Sequence, residues 1–297
     1  MIELPKIELD ANKYTRGSLL ILAGSTRFTG AAILAAQAAS RCGAGYVTLA
    51  IPAGAAQVAQ SHLLSIPVIS AGEKDGSFAA DALVKVVDSI RPPDAILCGP
   101  GLTVTESTCS FLADLLRQVK QPLVLDADAL NLLAMAEADF GGSNTAPPDA
   151  VAPGPAQRQL WQLLPAQSVL TPHQGELDRL LAATGCEDAQ QLAQQLQAVV
   201  VAKSHKTLVY SPDKATQAFE FTAGTPALAK AGTGDVLAGI IASLLAQGMD
   251  AWSAATAGVE IHGRAAFIAE TRTSRRSMMA EDVIDAIAHA LRELEGF

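Results

Sequence analysis

Apolar residues in this chain alternate between short continuous runs and segments with helical spacing. The predicted strands are the short runs at residues 19–23, 46–51, 95–98, 123–125, 168–170, 199–202 and 208–210. Runs that are apolar on both faces are typical of a parallel sheet with helices on each side. An alanine-rich segment at 31–42 and the pattern over 79–90 indicate helices between the strands. The order predicts a three-layer α/β/α protein with a mainly parallel central sheet.

The segment AKAGTGD at residues 229–235 precedes apolar residues at helical spacing. Two glycines within three residues permit a sharp turn and a close approach of the backbone to a ligand. The first turn of the following helix has free N–H groups and a partial positive charge, so it can hold a phosphate. Asp235 lies in this turn and has two candidate roles. It either caps the helix or takes a proton from a hydroxyl that attacks a phosphoryl group.

Two more helices follow, over about 251–270 and 280–293, and a low-complexity segment interrupts the chain earlier. This segment, residues 141–156, is rich in Gly and Pro and is predicted to be a mobile surface loop. Because strands and helices resume after it, we expect a single domain over residues 1–297.

Composition narrows the function classes. Of the 297 residues, 49% are apolar and only 4% aromatic, so small aliphatic side chains must build the core. The net charge of −9 argues against duplex nucleic acid as a partner, since that needs a basic surface. Small phosphorylated ligands remain compatible with it, because helix ends and a few lysines can hold them locally.

The chain start and the cysteines predict a cytoplasmic protein without a membrane segment. The first six residues lack the charged and apolar regions of a signal peptide. No apolar stretch free of charge and glycine is long enough to span a bilayer. The four cysteines form no CxxC pair, so we expect reduced thiols in or near the core. They are Cys42, Cys98, Cys109 and Cys186.

Several predicted strands end in glycine or polar residues. The first leads through a glycine turn into a helix, as in nucleotide-binding βα units, but matches neither a Walker A loop nor GxGxxG. The third is followed by Gly99 and Gly101 in GPG, which is either an ordinary tight turn or a ligand approach. The fourth is followed by Asp126, Asp128 and Asn131, which form either a polar site or a helix cap.

The fifth predicted strand is followed by His173 and Glu176, with a helix expected from Leu177, and the sixth is followed by a basic loop over residues 203–207. A His and a Glu three residues apart at a loop-to-helix junction either form a site or a capping arrangement around Thr171. The basic loop, KSHKT, is either solvated or a place for nucleotide phosphates at the sheet edge. The residues alone leave these alternatives open.

The chain resembles the ADP/ATP-dependent NAD(P)H-hydrate dehydratase family of the ribokinase-like superfamily. In chain order, the segments that carry the resemblance are TGAAILAA, GPG, LDADALNLL, TPHxGE, VxxK with a later Thr, and AGTGDVLAG. The resemblance runs from about residue 13 to about residue 290. The AGTGD loop is shared across the superfamily, whereas TGAAILAA, LDADALNLL and TPHxGE are much more specific. Family members often carry an N-terminal epimerase domain, for which this chain has no room.

The resemblance implies a coenzyme-repair lyase. The S epimer of hydrated NADH or NADPH carries a ring hydroxyl, to which the family transfers a phosphoryl group from ADP or ATP. Loss of phosphate then restores NAD(P)H, because phosphate is a better leaving group than hydroxide. Bacterial members typically use ADP. The implied cofactor is Mg²⁺, and a homo-oligomer, with a tetramer as one form, is a reasonable assembly.

Site residues follow from the resemblance position by position. Asp235 matches the base, and Gly232, Thr233 and Gly234 would give backbone donors to the transferring phosphoryl group. Gly234 would also contact the nucleotide. The nucleotide-binding loop corresponds to Lys203, Ser204, His205, Lys206 and Thr207. The candidate contacts with the hydrated coenzyme are Ala31, Gly99, Gly101, His173, Asp126, Asn131 and Asp235. Glu176 matches a carboxylate that acts near Mg²⁺ through water.

The chain departs from the family pattern at a few positions. Ser204 and Ala231 replace glycines, Gln174 replaces a proline, and the N-terminal Lys-Gly-x-Tyr/Phe-Gly segment keeps only its first and last residues. These changes bear on nucleotide preference and coenzyme fit rather than on the reaction class. Two alternatives stay open: a ribokinase-like kinase for hydroxymethylpyrimidine, a thiazole or a sugar, and a non-catalytic nucleotide-binding relative.

Overall fold

A nine-stranded sheet forms the centre of the computed structural model, which describes residues 3–87, 90–135 and 160–296. The strands are β1 (Ser18–Leu22), β2 (Tyr46–Pro52), β3 (Val68–Ala71), β4 (Glu73–Lys74), β5 (Ser77–Phe78), β6 (Ala95–Cys98), β7 (Leu123–Leu125), β8 (Ser168–Leu170), β9 (Val199–Ala202), β10 (Thr207–Tyr210) and β11 (Phe219–Phe221). The sheet order is β11-β10-β9-β8-β7-β6-β1-β2-β3, and β4 and β5 form a separate hairpin. In this sheet order, all neighbouring strands from β3 through β1 to β9 are parallel. Strand β10 is antiparallel to β9, and β11 is antiparallel to β10.

Helices cover both faces of this sheet. They are α1 (Thr29–Arg41), α2 (Ala53–His62), α3 (Ala82–Val87), α4 (Glu106–Gln118), α5 (Asp128–Ala134), α6 (Gln174–Thr184), α7 (Ala189–Leu196), α8 (Thr233–Ala246), α9 (Ala251–Arg272) and α10 (Ala280–Leu294). In β1, Leu19 and Ile21 join the core under α1, α8, α9 and α10, while Leu20 and Leu22 join the core under α3 to α7. Successive side chains point to opposite faces of a strand, so a strand covered on both faces is apolar throughout.

Helix α8 lies deep in this structure, because its residues from Val236 to Ala246 are all buried. A helix that is apolar all round must be enclosed on every side. It packs between the sheet and the neighbouring helices α1 and α9. Its N-terminus therefore has a fixed position at the carboxyl edge of the parallel strands, which is where ligands bind in open α/β sheets.

The structure confirms the three-layer prediction and most of the predicted strands, with some corrections. The helix expected over 79–90 is α3 and is shorter, with residues 88–89 outside the described ranges. The helix expected from residue 177 begins earlier, at Gln174, because His173 caps it. The basic loop 203–207 is not at the sheet edge, since β10 and β11 lie beyond β9. The predicted loop 141–156 lies outside the described residues.

The cysteine prediction is also confirmed. Three thiols are buried and the fourth is half-buried, and none of the four forms a disulfide within the described residues. Burial raises the pKa of Cys42 to about 12, so this thiol stays protonated and unreactive at neutral pH. Among the described residues, no helix is both long and apolar enough to cross a membrane.

Candidate functional site

Polar residues from four neighbouring segments meet beyond the carboxyl ends of β7, β8 and β9 and at the start of α8. The pairing of β8 with β9 continues past the strands: the backbone N–H of Lys203 donates to the carbonyl of Pro172 at 2.8 Å, and His173 and Lys203 form a parallel bridge. The TPHxGE segment and the basic loop therefore lie side by side beyond the carboxyl ends of β8 and β9.

The loop before α8 is shaped by Gly232, which has a φ of +90°. A Cβ at this position would lie 2.6 Å from the side chain of Leu34, so both the conformation and the space require glycine. Thr233 Oγ1 donates to the carbonyls of Leu228, at 2.8 Å, and Lys230, at 2.9 Å. These bonds hold the loop closed and leave the first N–H groups of α8 for a ligand.

Asp235 lies in the first turn of α8 but does not cap it, because the N-cap residue is Gly232 and no side-chain capping bond is present. The capping alternative for Asp235 is therefore wrong. Burial, followed by the negative charge of Asp126, raises the pKa of Asp235 to about 7, while Lys203 opposes the rise. A carboxyl group with a pKa near 7 can exchange a proton at neutral pH, as a general base must.

The cation facing this turn is Lys203. Its Nζ lies 2.6 Å from Asp126 Oδ1, and a Cβ added to Gly234 would be 3.3 Å from the same nitrogen. Burial works against the charged form of Lys203, but the charges of Asp126, Glu176 and Asp235 outweigh it, so its pKa lies above the ordinary value. A permanent positive charge therefore sits beside the N-terminus of α8.

His173 and Glu176 form a capping box at the start of α6. The backbone N–H groups of Gly175 and Glu176 donate to His173 Nδ1, at 3.0 and 3.3 Å, and His173 N–H donates to Glu176 Oε2 at 2.8 Å. The capping alternative is thus confirmed, but it centres on His173 and not on Thr171. Because Nδ1 accepts, the neutral ring carries its proton on Nε2, which lies 3.2 Å from Glu176 Oε1. The exposed ring of His173 remains available to a ligand.

The pKa values of this pair move in opposite directions. Burial, together with the positive charges of Lys203 and Arg179, lowers the pKa of His173. Burial raises the pKa of Glu176 to about 7. A neutral imidazole and a carboxyl group near its titration point therefore lie next to each other at the rim of the site.

A hydrogen-bonded chain runs from Asp128 to α6. The N–H of Thr103 donates to Asp128 Oδ2 at 2.8 Å, Asn131 Nδ2 donates to Asp128 Oδ1 at 3.4 Å, and Arg179 Nε donates to Asn131 Oδ1 at 3.0 Å. Helix α5 begins after Ala127, which provides no side-chain cap. The N-cap alternative for Asp126 or Asp128 is therefore wrong, and Asp128 instead ties the segment after the GPG turn to the start of α5.

The glycines of the GPG turn place backbone close to neighbouring segments. A Cβ on Gly101, whose φ is +65°, would lie 2.8 Å from Phe28 and 3.2 Å from the Ala31 side chain. A Cβ on Gly99 would overlap the carbonyl oxygen of Asp126. Ala31 and Gly101 are therefore neighbours, and Gly99 lies against the polar end of β7. The expected coenzyme contacts of these residues, and of Asp126 and Asn131, stay predictions.

One cavity of about 740 Å³ joins the basic loop to the anion-binding turn. Its lining includes His173, Lys203, Ser204, His205, Thr207, Lys230, Thr233, Gly234 and His262. The size is within the range of small-molecule sites. Lys206 does not line it and pairs instead with Glu220 at 3.3 Å on the exposed surface. The structure thus brings four of the five predicted loop residues to the cavity.

Sequence reasoning missed Arg179 and His262, and it missed the bond of Thr171 to Asp126. Thr171 is fully buried and donates to Asp126. His262 in α9 is buried, and burial lowers its pKa to about 4, so it is neutral. Only Thr171, inside TPHxGE, stood in a segment that the sequence had marked. Arg179 and His262 lie within helices, and the sequence around a single polar residue in a helix does not show which distant residues it contacts in the fold.

Three α/β/α layers around a mainly parallel sheet, with a glycine-rich turn before a buried helix, define a ribokinase-like protein. Solved structures of that class match this chain over nearly its whole length. A Bacillus subtilis ADP/ATP-dependent NAD(P)H-hydrate dehydratase, co-crystallised with ATP and Mg²⁺, is similar with a TM-score of 0.75 and 27% identity, covering 98% of this chain and 94% of that one. The family model described as NAD(P)H-hydrate dehydratase matches residues 19–289. The chain belongs to the NAD(P)H-hydrate dehydratase family.

Two curated relatives show the same similarity. The bifunctional NAD(P)H-hydrate repair enzyme of Moorella thermoacetica is 36% identical over 301 residues, which is 99% of this chain and 52% of that protein. The ADP-dependent (S)-NAD(P)H-hydrate dehydratase of Neisseria meningitidis is 36% identical over 286 residues, 93% of this chain and 86% of that protein. The chain therefore spans about half the length of the bifunctional relative and most of the single-activity one.

Proposed function

We propose that this protein is a hydro-lyase that dehydrates the S epimer of hydrated NAD(P)H at the expense of ADP or ATP. The observation that carries the proposal is the meeting of Asp235, Lys203 and the N-terminus of α8 beside one cavity that His173 also lines. An anion-binding turn with a carboxylate and a cation suits phosphoryl transfer to a hydroxyl. We infer the substrate, hydrated NAD(P)H, from the names of the relatives.

In the first step, Asp235 accepts the proton of the ring hydroxyl while the oxygen attacks the terminal phosphorus of the nucleotide. The P–O bond to the leaving nucleotide breaks, which releases AMP from ADP or ADP from ATP. The N–H groups of the turn formed by Gly232, Thr233 and Gly234 face the charge that develops on the transferring group. Lys203 adds a positive charge beside the same turn.

In the second step, the C–O bond to the phosphorylated oxygen breaks and inorganic phosphate leaves. The lone pair of the ring nitrogen expels it, and loss of a ring proton restores the reduced nicotinamide. This step needs little from the protein beyond a site that holds the departing phosphate. The same turn of α8 provides it.

The residues of the site fit a Mg²⁺ that is held mainly by the nucleotide phosphates. Glu176 Oε2 accepts from the backbone N–H of His173, and Oε1 lies 3.2 Å from His173 Nε2, so this residue fits a contact through water rather than a direct bond. In the described ranges no three acidic, His or Cys side chains converge as a metal site. Mg²⁺ typically keeps several waters and few protein ligands, and it would neutralise phosphate charge.

The nucleotide and coenzyme preferences belong to the proposal as well. We assign ADP as the donor, with ATP as the alternative, on the name of the Neisseria meningitidis relative. Lys203, Ser204, His205 and Thr207 line the cavity where the nucleotide would bind. We also propose that the protein is a homo-oligomer, with a tetramer as one form, and that it is cytoplasmic.

The test mixes the purified protein with hydrated NADH or NADPH, Mg²⁺ and either ADP or ATP, and follows the return of reduced-coenzyme absorbance. We expect recovery that requires nucleotide and leaves the R epimer untouched. A phosphorylated coenzyme that accumulates without elimination would indicate a small-molecule kinase instead. Nucleotide binding without any turnover would indicate a non-catalytic relative, and either result would contradict the dehydratase assignment.

A further inference from the structure

The carboxylate of Asp126 is the most enclosed charged group at the site. Its residue is only 1% exposed, and it stands at the end of β7, where its N–H donates to the carbonyl of Cys98 at 3.2 Å. Its Oδ1 accepts from Thr171 Oγ1 at 2.7 Å and from Lys203 Nζ at 2.6 Å. A buried charge is tolerated only when it is paired and hydrogen-bonded in this way.

Both partners of Asp126 are positioned by backbone. Thr171 is fully buried, and its N–H donates to the carbonyl of Leu125 at 3.1 Å. Lys203 is anchored by its bond to Pro172. The carboxylate therefore has a fixed place at the ends of three adjacent strands, and it draws the flexible lysine side chain to one point.

That point is beside the anion-binding turn. Lys203 Nζ is within van der Waals distance of the position of a Cβ on Gly234. A free lysine side chain has several rotatable bonds and strong hydration, so without a partner its ammonium group would sample many positions. Preorganised charge is what makes such a site effective, because no reorganisation is then needed during reaction.

We propose that Asp126 is a positioning residue, which holds the ammonium group of Lys203 at the N-terminus of α8 to receive the terminal phosphate of the nucleotide. This inference rests on the proposed function and refines one of its sites. It differs from the expected contact between Asp126 and the coenzyme, since a role exerted through Lys203 needs no contact with substrate.

The geometry also places Asp126 among the charges that act on Asp235. The charged and titratable groups that influence Asp235 are Asp126, Lys203, Asp128 and Glu176. Loss of the Asp126 charge removes the largest of the raising charges, so it lowers the pKa of Asp235. The activity that needs ionised Asp235 is present above this pKa and is lost below it. The acid limb of kcat/KM, near pH 7 in the wild type, should therefore move to lower pH.

The test is a double-mutant cycle on Asp126→Asn and Lys203→Met, read by ADP affinity in calorimetry, while the pH profile of kcat/KM reports the separate effect on Asp235. We expect Asp126→Asn to weaken ADP binding by at least about tenfold. In the Lys203→Met background the same change should cost less than about threefold, because the residue through which it acts is gone. Equal costs in both backgrounds would overturn the proposal and would favour an independent contact of Asp126 with the coenzyme.

Thr171→Val is the milder variant if Asp126→Asn does not fold. It removes one of the two bonds to Oδ1 and keeps both charges, so we expect a loss of about two- to fivefold in ADP affinity. That loss should vanish with Lys203→Met, and the acid limb should stay in place. A cost that persists without Lys203 would again overturn the proposal. Wild-type protein that binds ADP without turnover would defeat only the dehydratase assignment, whereas absence of ADP binding would defeat both.

Discussion

The floor and the nucleotide loop of the same cleft are built in different ways. The floor consists of Asp126, Thr171 and Lys203, with a buried carboxylate bonded to a fixed cation across neighbouring strands. In the nucleotide loop, Ser204 and Lys206 are exposed. They bond to each other locally, and Lys206 also forms a surface ion pair with Glu220. Ser204 Oγ donates to the carbonyl of Lys206 at 2.5 Å and accepts from its N–H at 3.2 Å.

This difference suggests that separate parts of the site govern the reaction and the preference for one nucleotide. Buried charges interact strongly because little water screens them, whereas exposed charges contribute little. We therefore expect the floor to set what chemistry is possible and the loop to adjust which nucleotide is preferred. The departures from the family pattern at Ser204 and Gln174 are both at exposed positions, and Asp235 with the two glycines of the turn is retained.

The largest expected effect comes from Asp235→Asn, in the first turn of α8. The amide cannot accept the hydroxyl proton, so we expect kcat to fall by about a hundredfold or more. The measurement is NAD(P)H recovery with saturating nucleotide and Mg²⁺. Asp178→Asn is the matched control, because Asp178 is exposed on α6 and the same chemical change there should leave kcat near the wild-type value.

The pH profile completes this prediction. Because burial and Asp126 raise the pKa of Asp235 to about 7, wild-type kcat/KM should fall as the pH drops below about 7. The residual activity of Asp235→Asn should lack the part of this limb that Asp235 contributes. Wild-type rates in the variant, or an unchanged acid limb, would refute the assignment of Asp235 as the base.

The smallest effect is expected from Ser204→Gly, which restores the family pattern in the loop. The lost bond is exposed and contributes on the order of 1 kcal/mol, so KM for the nucleotide should change by no more than about fivefold. The comparison to make is the ratio of ADP to ATP efficiency in the variant and the wild type. A fall in kcat as large as that of Asp235→Asn would show that floor and loop are not separate.

The fold could be predicted from the sequence largely because its strands are apolar on both faces. Leu19 to Leu22 alternate between two cores, and a short run of this kind, bounded by turn residues, is typical of a buried parallel strand. Short elements with weaker patterns, such as α2 and β11, were missed because their stability comes from packing rather than from local preference. The limits of α6 were misjudged because the capping box used a histidine rather than Ser, Thr, Asp or Asn.

The candidate site could be predicted in its parts but not in its bonding. The strand ends marked Asp126, His173 and Lys203 separately, because ligands bind there in open α/β sheets. That Asp126 pairs with Lys203 depends on the adjacency of β7, β8 and β9, which no local pattern contains. Whether each residue contacts nucleotide or coenzyme remains a prediction for the same reason.

The central claim is that the ring hydroxyl leaves as phosphate after phosphoryl transfer at the N-terminus of α8. The most direct measurement uses hydrated NADH whose ring hydroxyl carries ¹⁸O, incubated with the protein, Mg²⁺ and ADP. Mass spectrometry then locates the label. The account predicts ¹⁸O in the inorganic phosphate, with one AMP formed for each NADH restored. Label in water, or NADH restored without AMP, would contradict it.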